Sequence, residues 1–453
     1  MTGETLLKNM SRPENSAIFA GLYGPEGINE ARNRYSKLVR GLTGLPPADE
    51  KDVRVFTAAG RTELGGNHTD HNHGKVLAAS IHLDAAAAVS PRQDNKVLFR
   101  STGFPDVEVD LGGAGEKAPA LDLAPREKEK GTTEALVRGI AAEFAGRGIT
   151  IGGFTANADS TVLPGSGLSS SAAVEVLFGC IFNQLYGGGK FTPLELAVFG
   201  QKAENNYFGK PSGLMDQAAC ASGGVIAIDF KDPQNPQASP MPFDPEALGY
   251  SLCVVNTRGS HADLTPDYAA IPREMKAAAR FFGKNTLSEI RAEQILKNAA
   301  RLREAAGDRA LLRALHFFNE NNRVDAMKAA LEKIKNHGGE SFFQDYLKLV
   351  HESGDSSWEL LQNVYSPKNP AEQGIPLALA LTREFFHSLP KGENKMPGAC
   401  RVHGGGFAGT IQVYLLKDQM EAYREMMETV FKSGAVTELR IRPTGTAELC
   451  FPG

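Results

Sequence analysis

The stretch GRTELGGNHTDHNHG, residues 60–74, gathers His68, Asp70, His71 and His73 within six positions. Imidazole and carboxylate are good zinc or iron ligands, and two histidines three apart, or an H-x-D spacing, can converge on one ion. The same residues also suit a polar loop. Gly65, Gly66 and Gly74 loosen the backbone, and Asn67, Thr69 and Asn72 are ordinary loop residues. A catalytic metal centre usually draws ligands from several segments, and no second His or Cys cluster occurs in the chain. That weighs towards the polar loop and leaves its purpose open.

A second group is PGSGLSSSA, residues 164–172. Small residues let a backbone approach a ligand closely. Several N–H groups at the start of a helix point at one spot, where the helix dipole favours negative charge. Phosphate is the natural guest, and serine hydroxyls can add hydrogen bonds or bind Mg²⁺. The loop lacks the lysine of a Walker A motif, and Ser170 stands where G-x-G-x-x-G has its last glycine. A capped helix after a flexible turn is the plainer alternative, but the density of small residues favours phosphate.

A third group lies in AENNYFGKPSGLMDQAACASGG, residues 203–224. Glu204 falls late in a helix pattern. Asp216 is flanked by Gly213, Leu214 and Met215, so partial burial leaves its proton affinity open to tuning. One carboxylate holding Mg²⁺ and the other facing an acceptor is a phosphotransfer layout.

These groups need elements to position them. Val53–Ala58 reads as a strand leading into the His/Asp stretch, and Val76–Val89 as a buried strand pair. The Ser/Gly loop runs into a helix over Ser170–Leu185, stopped by Gly187–Gly189. Glu134–Phe144 and Leu194–Tyr207 read as further helices, Gly223–Phe230 and Tyr250–Val255 as strands. The prolines of 233–245 suggest a crossover, and 112–131 a surface excursion. Ala31–Leu42 is the clearest helix before residue 50, and 269–335 is helical throughout. A second glycine loop, Cys400–Gly409, leads into a strand from Thr410, with Ile411, Val413 and Leu415 alternating.

The 453 residues suggest two or more domains, and 42% hydrophobic with 23% charged residues is ordinary for a globular protein. A net charge of −4 and the lack of a Lys/Arg tract give no reason to expect nucleic acid. Five scattered cysteines argue against a disulfide framework, and no apolar run reaches membrane-spanning length. A cytoplasmic protein without membrane partners is the expectation; composition leaves its oligomeric state open.

Together the three groups resemble the galactokinase family of the GHMP small-molecule kinases. GRTELGGNHTDHNHG is similar to the signature GR-x-N-L-I-G-E-H-T-D-Y-N-x-G, LPGSGLSSSAA to the ATP-phosphate loop, and RVHGGGFAG to the C-terminal glycine loop. SGLMDQ is similar to the stretch holding the catalytic aspartate. The likeness runs in order over residues 50–453. It implies a two-domain α+β fold: a ribosomal-protein-S5-like domain over 1–245 and a ferredoxin-like domain over 246–453, with the active site between them.

It also implies roles. Arg61 and Asp216 are catalytic. Asn67, His68, Asp70, Gly213 and Tyr268 line the sugar site. Gly165, Ser166, Gly167, Leu168, Ser169, Ser170 and Ser171 cradle nucleotide phosphates, and Ser171 and Glu204 hold Mg²⁺. The implied reaction converts ATP and α-D-galactose to ADP and galactose 1-phosphate. The polar cluster that opened the question then reads as a sugar loop.

The chain departs from the pattern at Glu63 and Asn67, which exchange the motif's Asn and Glu, and at Gly65 and His71. An amide at 67 can donate as well as accept, so galacturonate or arabinose becomes conceivable as substrate. A non-catalytic galactose sensor is the alternative from another class, but Ser171-Ala172-Ala173 and the matches at Arg61, Glu204 and Asp216 favour an enzyme. The H-T-D match argues against a mevalonate or homoserine kinase.

Overall fold

Thr2 opens the first helix by accepting a hydrogen bond from the Thr5 N–H, and α1 (Gly3–Met10), α2 (Ser16–Tyr23) and α3 (Ile28–Thr43) follow. The computed structural model describes all residues except 46–51, 113–120, 163–164, 166, 233–235, 261–263, 338 and 391–394. Next come β1 (Arg54–Gly65), β2 (Lys75–Pro91), β3 (Lys96–Ser101), β4 (Val107–Asp110), α4 (Thr133–Ala145) and β5 (Phe154–Ser160). The helices α5 (Ser170–Leu185), α6 (Pro193–Ala203) and α7 (Met215–Ser222) precede β6 (Val225–Asp229) and β7 (Gln237–Met241). The second half holds β8 (Tyr250–Asn256), α8 (Thr265–Phe281), α9 (Ala292–Lys297), α10 (Ala299–Ala306), α11 (Asp308–His337), α12 (Glu340–Ser356) and α13 (Gly374–Ser388). It closes with β9 (Gly398–His403), β10 (Thr410–Leu416), α14 (Met420–Phe431), β11 (Val436–Leu439) and β12 (Thr446–Leu449).

Two sheets result. The first runs β12-β1-β2-β5-β3-β4, with β6 added to β2 and β7 to β6, and the second runs β11-β8-β10-β9. The expected strand pair over Val76–Val89 is one strand of 17 residues. It stays single because each half has its own partner on one edge: Lys75–Ala79 pairs with β6 and Ala85–Pro91 with β5. Its opposite edge follows β1, with a register shift between Ala59 and Gly60 where β2 carries the extra residues. Such a bulge bends a strand and re-aims the side chains beyond it, and Arg61 is the next residue along. The first six residues of the His/Asp stretch are therefore strand, and only the rest is turn.

Period-2 alternation explains the layers. Ala85, Ala87 and Val89 face a core shared with α4–α7, while Ala86 and Ala88 face α1–α3. Alanine on both faces lets helices approach from both sides. In the second sheet Ile411, Val413 and Leu415 point together towards α13 and α14. Leu252 and Val254 point the other way, into a core shared with the first sheet, α11 and α12.

The chain leaves the first sheet after Met241 and enters the second at Tyr250, so part of the proline-rich crossover is strand; 233–235 lies outside the described residues. The end of the chain then returns, and β12 pairs antiparallel with β1. A single cut near 245 does not separate the two sheets. Among the described residues no helix is long and apolar enough to cross a membrane.

Candidate active site

Arg61 lies past the bulge in β1 and is buried. Its backbone N–H donates to the Leu168 carbonyl (3.0 Å), its Nη1 to the Gly167 carbonyl, and its Nε to Asp216 Oδ1 (2.8 Å). One guanidinium thus joins the Ser/Gly loop to the acid at the start of α7. The other oxygen of Asp216 accepts from the Ser169 hydroxyl at 2.5 Å. Burial pushes the Asp216 pKa up, but the charge and hydrogen bond of Arg61, then the Ser169 hydroxyl, outweigh it and hold the carboxyl below its ordinary range. The side chain of Asp216 remains 36% exposed, so this held charge faces open space.

In the phosphate loop Gly165 (φ 74°), Gly167 (φ 71°) and Ser169 (φ 60°) are left-handed. Left-handed residues of this kind turn backbone N–H groups towards a concavity suited to an anion. Ser166 lies outside the described residues. Leu168 contributes backbone only, because its side chain is buried in the core between the sheets. Ser169, expected to face phosphate, gives its hydroxyl to Asp216 instead. Ser170 and Ser171 begin α5, and Ser171 is exposed. A Cβ on Gly167 would lie 2.9 Å from Thr410 Oγ1 and 3.2 Å from His403 Nδ1, so the third motif packs directly on this loop.

The third motif also organises the sugar loop. Its consecutive glycine carbonyls accept from Asn67 Nδ2 (Gly404, 2.7 Å), His68 Nε2 (Gly405, 3.0 Å) and the Tyr268 hydroxyl (Gly406, 3.0 Å). Burial, then the neighbouring His71, pushes the His68 pKa down to about 3 despite the Gly405 bond. The ring is therefore neutral, and because Nε2 donates, Nδ1 is left as an acceptor. Asp70 takes the His71 N–H on Oδ1 (2.9 Å), and a Cβ on Gly213 would stand 1.8 Å from its Oδ2. A side chain at 213 would displace the Asp70 carboxylate, and glycine leaves it in place. It brings the Asp216 segment against the sugar loop. Among the described residues no three His, Cys, Asp or Glu side chains are grouped as metal ligands would be.

Known proteins resemble the chain over the segments that build this site. The galactokinase galactose-binding signature matches residues 48–91, and the GHMP kinases N terminal domain matches 135–224. The chain is 34% identical over 281 residues to the galactokinase of Streptomyces coelicolor, covering 61% of this chain and 69% of that one. It is 30% identical over 370 residues to the galactokinase of Glaesserella parasuis, covering 82% and 87%. The chain belongs to the galactokinase family. The crystal structure of Lactococcus lactis galactokinase complexed with galactose superposes with a TM-score of 0.74 at 25% identity, over 92% of this chain and all of that one. The two-domain α+β GHMP kinase fold follows.

Against the galactokinase pattern, the exchanged pair is internal. Asn67 is fully buried. Its amide also donates to Glu63 Oε1 (3.0 Å), and its carbonyl accepts from Asn363 Nδ2 (2.9 Å) and the Ser357 hydroxyl (3.5 Å). Asn67 was expected to touch sugar; here its hydrogen-bonding capacity is filled by protein. Glu63 in turn pairs with Arg401, both side chains being almost wholly buried. His403 Nε2 accepts the Glu63 N–H (3.3 Å), so its Nδ1 donates to Thr410 (3.0 Å).

Glu204 opens a π-helical turn, Glu204–Phe208, that ends α6. Its Oε2 accepts from Gln217 Nε2 (2.9 Å), and the same nitrogen donates to Glu175 Oε2 (2.9 Å). The bridge ties Glu204 to the residue following Asp216, and to Glu175, which lies one turn after Ser171 on α5. Burial, then the charge of Glu204, pushes Glu175 up to about 8, and its Oε1 is buried without a partner. Lys210 Nζ sits 2.8 Å from Glu204 Oε1. Burial opposes the charge of that ammonium, but Glu204, then Asp216 and Glu175, raise its pKa. Oxygen donors around an orphaned carboxyl oxygen, with one cation already drawn in, fit a hard divalent ion such as Mg²⁺.

Sequence reasoning missed Glu175, Gln217, Lys210, Asn363 and Arg401. Two carried a local signal: Gln217 follows Asp216, and Glu175 stands four residues after Ser171. Asn363 had none, because it reaches the site from the end of the helical excursion.

Proposed function

We propose that this chain transfers the γ-phosphoryl group of ATP to the anomeric hydroxyl of galactose, giving ADP and α-D-galactose 1-phosphate. The observation that carries this reading is the double contact of Arg61, which holds Asp216 and the phosphate loop with one side chain. A guanidinium there meets negative charge developing on the transferred group. Asp216, kept ionised, accepts the hydrogen bond of the attacking hydroxyl, orients it, and takes its proton as the new bond forms. The low proton affinity of Asp216 favours late over early proton transfer. His68 Nδ1, Asp70 and Tyr268 supply acceptors and an aromatic wall for the sugar. The concavity of Gly165, Gly167 and the start of α5 takes the phosphates. Ser171 and Glu204 would hold Mg²⁺, which would supply positive charge to offset that of the nucleotide phosphates. Five free cysteines, four of them buried, suit a reducing cytoplasm.

ADP release from ATP·Mg²⁺ against galactose, galacturonate, arabinose, glucose and no sugar tests the proposal. Turnover with galactose that Asp216→Ala abolishes supports it. Sugar binding without turnover would replace it by a sensor. The saturated amide of Asn67 favours a second reading in one respect, since it leaves no group of its own for C6. Turnover with arabinose or galacturonate above that with galactose would reassign the substrate and keep the mechanism.

A further inference from the structure

Glu204 is a nearly buried carboxylate, its side chain 4% exposed, and Lys210 is the one cation paired with it among the described residues. The local backbone builds this pair. The π-turn ends at Gly209 in a left-handed conformation (φ 86°), and the N–H groups of Gly209 and Lys210 both donate to the Glu204 carbonyl (2.9 and 3.1 Å). The chain is folded back on its own turn, so the Lys210 side chain returns to the carboxylate six residues earlier. The stem is 60% exposed, and only the ammonium end is engaged. Gln217 holds the other oxygen of Glu204 and carries no charge.

From this arrangement we propose that Lys210 is a tethered counter-cation that occupies Glu204 until Mg²⁺ arrives, and competes with the metal for it. This rests on the reading of Glu204 as a Mg²⁺ ligand. A buried carboxylate without a cation leaves an uncompensated charge. The lysine offsets the charge of Glu204 and holds its side chain aimed, at the expense of metal affinity. Displacement is easy because the ammonium is flexible and strongly hydrated once released. Lys210 is thus a positioning residue that sets the metal requirement.

The test is binding of Mn²⁺ to the nucleotide-free protein, followed by the paramagnetic resonance signal of free Mn²⁺, with wild type, Lys210→Met, Lys210→Arg and Glu204→Gln. Lys210→Met is expected to tighten Mn²⁺ binding roughly three- to five-fold, the range an ion pair open to solvent at one end supports. The Mg²⁺ concentration for half-maximal turnover falls in parallel, while the KM for sugar is unchanged. Lys210→Arg retains the charge and stays near wild type, which a merely steric role would not produce. No gain for Lys210→Met, with Mn²⁺ binding lost in Glu204→Gln, overturns the proposal and leaves Glu204 as a ligand. Binding unchanged in both variants overturns the role of Glu204, and the proposal with it.

Discussion

Asp84 and Asp216 are both aspartates held by arginine against the first sheet, and they differ in what surrounds the carboxylate. Asp84 sits beside the bulge of β2. It receives Arg34 Nη1 (2.5 Å) from α3, Arg442 Nη1 (3.0 Å), the Tyr23 hydroxyl (2.6 Å) and the Thr57 hydroxyl. Asp84 and Arg442 are wholly buried, and every partner is protein. Asp216 has one arginine, one serine and an open side. The same chemistry thus makes a fastener where all directions are filled and, on the proposed function, a reactive group where one is left free. The fastener explains the N-terminal helices: α2 and α3 supply Tyr23 and Arg34, locking residues before the first motif onto the strand that delivers Arg61.

Removing each aspartate separates the two roles. Asp216→Ala is expected to lower kcat by about 10³–10⁴-fold, as loss of a positioned acceptor and charge partner does. Its urea unfolding midpoint should stay close to wild type; a large fall would make Asp216 structural and dissolve the contrast. Asp84→Ala leaves the buried Arg442 uncompensated and should destabilise by about 3–5 kcal/mol. The kcat of protein that remains folded should be unchanged. Lost activity at full stability would instead tie Asp84 to the chemistry.

Acid sharpens the comparison further. Burial raises the Asp84 pKa, but Arg34 and Arg442, then Thr57 and Tyr23, overcome it and hold the carboxyl at about 2. A depressed folded-state pKa stabilises fully above the ordinary aspartate value and loses that stabilisation as pH falls through the folded value. Between about pH 4 and pH 2, stability should therefore fall by about 2 kcal/mol through this residue alone. In Asp84→Asn that part of the fall should be missing. A difference between wild type and variant that stays constant over this range would mean the two arginines do not set its proton affinity.

The sequence made the site more legible than its supports. The three motifs and the SGLMDQ segment drew attention to Arg61, Asp216 and the phosphate loop through their resemblance to the galactokinase pattern. The helix at Ser170–Leu185 was read with its ends, since a glycine-rich loop and Gly187 bound it on both sides. What escaped depended on tertiary partners. Val76–Val89, a run of apolar and small residues, read as two strands, and only the partners of its two halves show it to be one. Return of β12 to the first sheet, and arrival of Asn363 beside Asn67, leave no local periodicity to read. Ser169 and Asn67 were expected to touch ligands, and each is engaged by a neighbour that no spacing rule supplies.

The smallest test compares single hydroxyls. Ser169 donates to Asp216 and Thr57 to Asp84, so Ser169→Ala and Thr57→Val remove like bonds from unlike carboxylates. A hydrogen bond to a charged acceptor contributes about 1.5–3 kcal/mol, and the low end applies where water can replace the donor. At Asp216, about a third exposed, water can do so for stability but cannot restore the angle of the carboxylate. Ser169→Ala should therefore cost about ten-fold in kcat, equivalent to about 1.4 kcal/mol, with little change in unfolding midpoint. At Asp84 no water enters, and two guanidiniums and a phenol keep the carboxylate fixed. Thr57→Val should lose about 2–3 kcal/mol of stability and nothing in kcat. Equal effects of both variants on both readouts would mean that exposure of the carboxylate does not divide fastener from reactive group.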